Sequence, residues 1–223
     1  MAEEKTNGQT ELVFILGRSR AMSRLESDTV DGFNGMVAQH KGDGADVLVS
    51  MVLFDHEDEV IHDRVRIAEV PTLTDKKYYT RGSTALLDAM GGAIYHIKNV
   101  HKYARSEDRP ARTMFVIITG GADNASLYYW TPDRLRDLVE RQEKEAGWEF
   151  ILLGANIDAA QVVGDLGIPA ENAAQFACDA VGVRENFASL TRMILEFSTT
   201  GVALPTWSQK ISEHLAQSND ARS

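Results

Sequence analysis

Three short apolar runs constrain the fold of this chain more than any other feature: Leu12-Val13-Phe14-Ile15-Leu16, Met114-Phe115-Val116-Ile117-Ile118 and Phe150-Ile151-Leu152-Leu153. Each is apolar at consecutive positions, the pattern of a strand whose two faces are both covered. Between them lie segments with helical spacing. Leu25, Val30, Phe33, Met36 and Val37 mark a helix over 24–40, and Leu86, Leu87, Met90, Ile94, Ile97 and Val100 mark another over 85–103. Strands separated by helices need crossover connections, which predicts an α/β fold: a doubly wound, mostly parallel sheet with helices on both faces.

The remaining segments fill in that plan. A second strand over 46–54 runs into the polar turn Asp55-His56-Glu57-Asp58, and the mixed segment 60–67 suits an antiparallel edge strand. Thr131-Pro132-Asp133 is a strong helix start, with a hydroxyl cap, a proline at the first helical position and an acid in the first turn. That helix runs to Ala146, followed by a strand over 148–153, a helix over 159–166, a last strand over 174–178 and a helix over 183–199. Gly91-Gly92 inside the second helix costs roughly 1 kcal/mol per glycine, so both are expected to pack closely on the sheet.

This organisation gives a leader over 1–10, one domain over 11–200 and a C-terminal extension over 201–223. In the extension, Trp207, Ile211 and Leu215 fall at helical spacing. Its apolar side docks either on the domain itself or on another subunit or protein. At 223 residues with 43% hydrophobic content the chain can bury a sizeable core. A formal net charge of −10 disfavours nucleic acid and anionic membranes as partners. The single Cys178 cannot form an intramolecular disulfide, and no apolar run nears the ~20 residues that span a bilayer. A cytoplasmic, bacterial protein is the expectation.

The motifs carry a more specific signal. Phe14-Ile15-Leu16-Gly17-Arg18-Ser19-Arg20-Ala21-Met22, Arg81-Gly82-Ser83-Thr84-Ala85-Leu86-Leu87-Asp88-Ala89 and Phe115-Val116-Ile117-Ile118-Thr119-Gly120-Gly121 together resemble the von Willebrand factor A-type domain. In that family the first strand ends in Asp-x-Ser-x-Ser-Met and the fourth near Thr-Asp-Gly. The resemblance implies a Rossmann-like sheet whose loops at the carboxyl ends of the central strands hold a divalent cation, the metal-ion-dependent adhesion site. An acidic residue from a partner completes the coordination.

In this chain Ser19 and Thr84 match the hydroxyl ligands, while Gly17, Ala21 and Gly120 stand where the family has aspartate, serine and aspartate. Two neutral hydroxyls are a poor set for magnesium, which is normally held through carboxylates, and no histidine or cysteine pair adjoins these loops for zinc. The expectation is therefore no cofactor and a degenerate site. Arg20 could then supply a fixed positive charge where the cation sat, pairing a partner carboxylate in fork geometry.

That reading makes the chain a non-catalytic interaction or adaptor module, with Arg18, Ser19, Arg20, Ser83, Thr84, Gly121 and Asp123 as partner-contacting residues and homo-oligomerisation as an option. A second reading keeps a metal through Ser19, Thr84 and Asp123. A third makes Ser19 a hydrolase nucleophile, since Gly17-Arg18-Ser19-Arg20-Ala21 has the outline of a strand-to-helix elbow. Of the six histidines none follows a late central strand, where such a hydrolase needs one. Nor does Gly17-x-Ser19 supply the glycines of a dinucleotide turn.

Overall fold

The computed structural model describes residues 8–127, 129–155, 157 and 159–220. Residues 1–7 of the expected leader and 221–223 of the extension lie outside them. Gln9 and Thr10, expected in the leader, are buried, and Thr10 already belongs to the sheet.

The chain alternates β1 (Thr10–Gly17), α1 (Glu26–Gly42), β2 (Val47–Phe54), β3 (Asp58–Arg66), α2 (Leu86–Tyr103), β4 (Arg112–Thr119), α3 (Pro132–Ala146), β5 (Glu149–Gly154), α4 (Ala159–Leu166), β6 (Ala173–Gln175), α5 (Ala180–Thr200) and α6 (Gln209–Asp220). Six strands form one sheet in the order β3-β2-β1-β4-β5-β6. All pairs are parallel except β2 with the edge strand β3. The chain winds outward from β1 to β3, then returns to β4 on the other side. β1 and β4 therefore flank the topological switch point, where such sheets place ligands at the strand carboxyl ends.

The alternation within β1 shows why both faces must be covered. Leu12, Phe14 and Leu16 enter one apolar layer with Phe33 of α1 and Phe187, Leu190 and Phe197 of α5. Val13 and Ile15 enter the other, with Met90 and Ile94 of α2 and Val139 of α3. Every residue of β1 is buried, including Glu11, whose carboxylate meets Arg64 of β3 and His101 of α2 at the amino end of the sheet.

Local chemistry sets the ends of the elements. Thr131 accepts a hydrogen bond from the Arg134 N–H and Pro132 opens α3, as expected, while Gly147 ends it at φ 64°. α5 begins before the expected 183 because Asp179 accepts the Gly182 N–H at 2.8 Å and caps an additional turn. β6 is only Ala173–Gln175, shorter than the expected 174–178.

The glycine pair of α2 behaves differently from the expectation. A Cβ on Gly91 would lie 2.2 Å from the Trp130 indole, so a neighbouring loop, not the sheet, uses that position. Gly92 has nothing within 4 Å and is exposed.

The extension packs in cis. Trp207 and Ile211 join the apolar layer formed with α1 and α5, and the Trp207 indole N–H donates to the Glu171 carbonyl at 2.9 Å. Among the described residues no helix is long and apolar enough to cross a membrane.

Candidate functional site

Gly17 ends β1 in a tight place. A Cβ there would sit 3.1 Å from the Ile118 carbonyl oxygen and 3.3 Å from the Phe54 ring. Its carbonyl accepts a hydrogen bond from the Tyr78 hydroxyl at 2.7 Å, and burial pushes that phenol well above its usual range. The β1–β2 register pairs Gly17 with Phe54, so the next residues, Arg18 and Asp55, come side by side.

Arg18 is wholly buried. Its Nε donates to Asp55 Oδ2 and its Nη1 to Glu59 Oε2, both at 2.7 Å, and its guanidinium lies 5.5 Å from the centre of the Tyr79 ring. Nη2 is buried without a partner among the described residues. The Arg18 backbone is fixed as well, its N–H donating to the Phe54 carbonyl and its carbonyl accepting from Arg81.

Asp55 is the hub of this network. Oδ2 also accepts from Arg81 Nε at 2.9 Å, while Oδ1 accepts the backbone N–H groups of His56 and Glu57 at 2.7 and 3.1 Å. Burial works against ionisation, but the hydrogen bonds from Arg81 and Arg18 and from the Glu57 N–H outweigh it, holding the carboxyl below its ordinary range. Asp55, His56 and Glu57 bring three potential metal-ligand atoms within 4.8 Å. Arg18 and Arg81 already occupy Asp55, and Arg81 also holds Glu57 at 3.1 Å, so a cation there would displace guanidinium groups.

Ser19 and Thr84 do come together. The Thr84 hydroxyl donates to the Ser19 hydroxyl at 3.0 Å, and both side chains are buried. Thr84 is held by Asn124: its N–H donates to the Asn124 side-chain carbonyl at 2.8 Å, and its carbonyl accepts from Asn124 and Ala125. A Cβ on Gly120 would lie 2.8–2.9 Å from Ala21 and the Met22 sulfur, distances at which one side must move. Asp123 is turned to another task, accepting the Leu87 N–H at 3.2 Å and the Ser126 hydroxyl at 2.5 Å at the start of α2.

Arg20 and Ser83 are exposed and Gly121 is partly exposed, whereas Arg18, Ser19 and Thr84 are buried. Around them the carboxyl-end loops expose Tyr79 (45%), Leu127 (70%) and Tyr129 (67%). The Arg134 guanidinium lies 5.8 Å from the centre of the Tyr129 ring. Sequence reasoning missed Asp55, Glu59 and Arg81. The usable signal was an arginine directly after a strand buried on both faces, next to a strand that ends in an acid.

One Ser-His-Asp cluster lies elsewhere, joining α6 to the start of α5. His214 Nε2 faces both Asp179 Oδ1 at 3.0 Å and Ser218 Oγ at 3.4 Å, and Ser218 also donates to Asp179. A catalytic relay needs the acid and the nucleophile on opposite ring nitrogens. This cluster is a helix-end clasp.

No protein-family model matches the sequence, and neither does any curated protein. Solved structures do match. The SpRpn10 VWA domain aligns over 82% of this chain and 94% of its own, with 12% identity and a TM-score of 0.52. Proximal thread matrix protein 1 from the mussel byssus, in a form described with a zinc-occupied adhesion-site motif, aligns over 84% of this chain with 10% identity and a TM-score of 0.55. The pilus adhesin SpaC from Lactobacillus rhamnosus GG aligns over 84% with 10% identity and a TM-score of 0.62. This chain spans 46% of the mussel protein structure and 30% of SpaC. The strand order, the single antiparallel edge and these likenesses agree: the chain has the von Willebrand factor A-type fold.

Proposed function

We propose that this chain is a non-catalytic protein-binding module that engages its partner through the loops at the carboxyl ends of β1 and β4 without a divalent cation. The observation that carries the reading is the contrast between buried and exposed groups at that end of the sheet. The positions equivalent to the metal ligands are a closed hydroxyl pair, Ser19 with Thr84, under loops that expose Arg20, Tyr79, Leu127 and Tyr129. Tyrosine and arginine are the residues that anchor protein interfaces, because they bury large area and keep polar groups for orientation.

The residues present do not fit a divalent cation. Ser19 and Thr84 satisfy each other, Asp123 is engaged at the start of α2, and Ala21 and Met22 fill the space beside Gly120. Arg18 belongs to the support, where its salt bridges to Asp55 and Glu59 hold the loop after β1. Contact then falls to Arg20, Ser83, Gly121 and the exposed tyrosines. Arg20, exposed and without a described ion pair, suits a partner carboxylate.

Two measurements test this. Millimolar magnesium or manganese should leave the melting temperature unchanged, because a ligand stabilises only by occupying the folded state. A cation-specific rise abolished by Ser19→Ala would favour the metal-binding reading. With a co-purified partner, Arg20→Glu should weaken the complex by about 2–5 kcal/mol for a buried pair in calorimetry. Unchanged affinity for both Arg20→Glu and Tyr129→Ala would move the interface off this face.

A further inference from the structure

Another open feature among the described residues is the β3 edge. β3 pairs only with β2, so its outer backbone groups have no strand partner among the described residues. Within it Val60 is 60% exposed, and between the strand and α2 lies a groove of about 230 Å³ whose apolar lining is Val13, Val52, Val60, Ala89, Ala93 and Ile97 and which the exposed Asp63–His96 pair also lines. Gly92 faces open space on the helical side. Exposed edges are ordinarily guarded by charge or by a bulge, and β3 has both, with Arg64 at φ 52° bonded through its N–H to the Ser50 hydroxyl.

The distribution of charge makes that guard selective. Asp58 opens the strand and Arg66 closes it; both are exposed, and neither makes an ion pair among the described residues. A parallel neighbour of the same sequence would set Asp58 beside Asp58 and Arg66 beside Arg66. An antiparallel neighbour sets each acid beside a base, twice over by symmetry. Opposite charges across paired strands stabilise and like charges destabilise. The same antiparallel approach covers the exposed flank of Val60 and gives the free backbone edge its hydrogen-bond partners.

We propose that β3 is an isologous dimer edge, pairing antiparallel with β3 of a second copy to continue the sheet across two subunits, with Asp58 of each copy meeting Arg66 of the partner subunit. Arg66, paired with Leu48 at the amino end of β2, lies away from the loops at the carboxyl ends of β1 and β4, whereas Asp58 adjoins Glu59, the partner of Arg18, so Arg66→Asp is the variant that separates the two interactions.

Sedimentation velocity over a concentration series tests it with the full chain. The wild type should form a dimer. Asp58→Arg and Arg66→Asp should each raise the dimer Kd at least tenfold, and the double variant Asp58→Arg/Arg66→Asp should restore it, because the swap regenerates both opposite-charge pairs. Thermal melts of all three variants check that the fold persists. A wild type that stays monomeric at every concentration overturns the proposal. So does a dimer that is insensitive to either reversal, or one lost in both single variants and not recovered in the double. Arg20→Glu serves as the control for the other face: a dimer that it abolishes while Arg66→Asp leaves it intact also overturns the assignment.

Discussion

Arg18 is stable in the interior because Asp55 and Glu59 meet it there, and the cost of separating them is the most direct consequence of the site. Asp55→Asn leaves a buried guanidinium facing a neutral amide, so it should destabilise the fold by about 3–5 kcal/mol in chemical denaturation. The pH dependence has a definite sign. The folded-state carboxyl lies below its ordinary range, so its contribution is present above the unfolded value near pH ~4 and is lost as pH falls through the lowered folded value. Wild-type stability should therefore fall more steeply below about pH 4 than that of Asp55→Asn; equal slopes would mean that Asp55 is not the hub. The sequence held only a partial signal of this network, an arginine after a buried strand and an acid ending the next one. Arg18 sits between an apolar strand and a polar loop, which leaves its direction open, and only the β1–β2 register brings Asp55 beside it. Ser19 and Thr84 were legible as a pair because the motif spacing survives the loss of its acids.

Helices α2 and α3 each contain one position where a local rule and its surroundings disagree. In α2 the two glycines should respond oppositely. Gly91→Ala drives a methyl into the Trp130 indole and should destabilise by about 1–3 kcal/mol, while Gly92→Ala meets open space and should stabilise by about 0.5–1 kcal/mol through helix propensity. Thermal melts of the two single variants decide it, and a shared sign would refute the assignment. In α3, burial together with Glu149, Glu140 and Glu171 pushes Glu143 up to about 7. A raised carboxyl favours the folded state relative to higher pH while protonated, an advantage full below the unfolded value of 4.5 and lost as pH rises through about 7. Glu143→Gln should accordingly raise the melting temperature by about 2–4 °C at pH 8 and by almost nothing at pH 4. Helix and strand existence was readable from periodicity throughout. The start of α5 was misplaced although its signal is local, Asp179 capping Gly182 three residues on, whereas the use of Gly91 depends on Trp130, which a one-dimensional pattern does not place beside it.

At the scale of the molecule the sheet has two ends and one edge with different jobs: carboxyl-end loops that present tyrosine and arginine, an amino end where Glu11 ties β1 to β3 and α2, and a β3 edge open to another strand. The parallel architecture was legible because continuous apolar runs alternate with helical segments, which calls for crossover connections between strands covered on both faces, whereas the destination of the extension was not. Apolar residues at helical spacing describe a buried face without saying whose surface buries it. Here the surface is the chain's own, since Trp207 and Ile211 complete the layer over α1 and α5, and His214 and Ser218 hold the Asp179 cap. Trp207→Ala should then cost about 3–5 kcal/mol, the range for emptying a large buried site, and lower the melting temperature by roughly 10 °C. Leu204→Ser, at a residue 43% exposed, should change it little. If Trp207→Ala melts with the wild type, the extension contributes nothing to the fold in solution, and its apolar face must be sought on a partner.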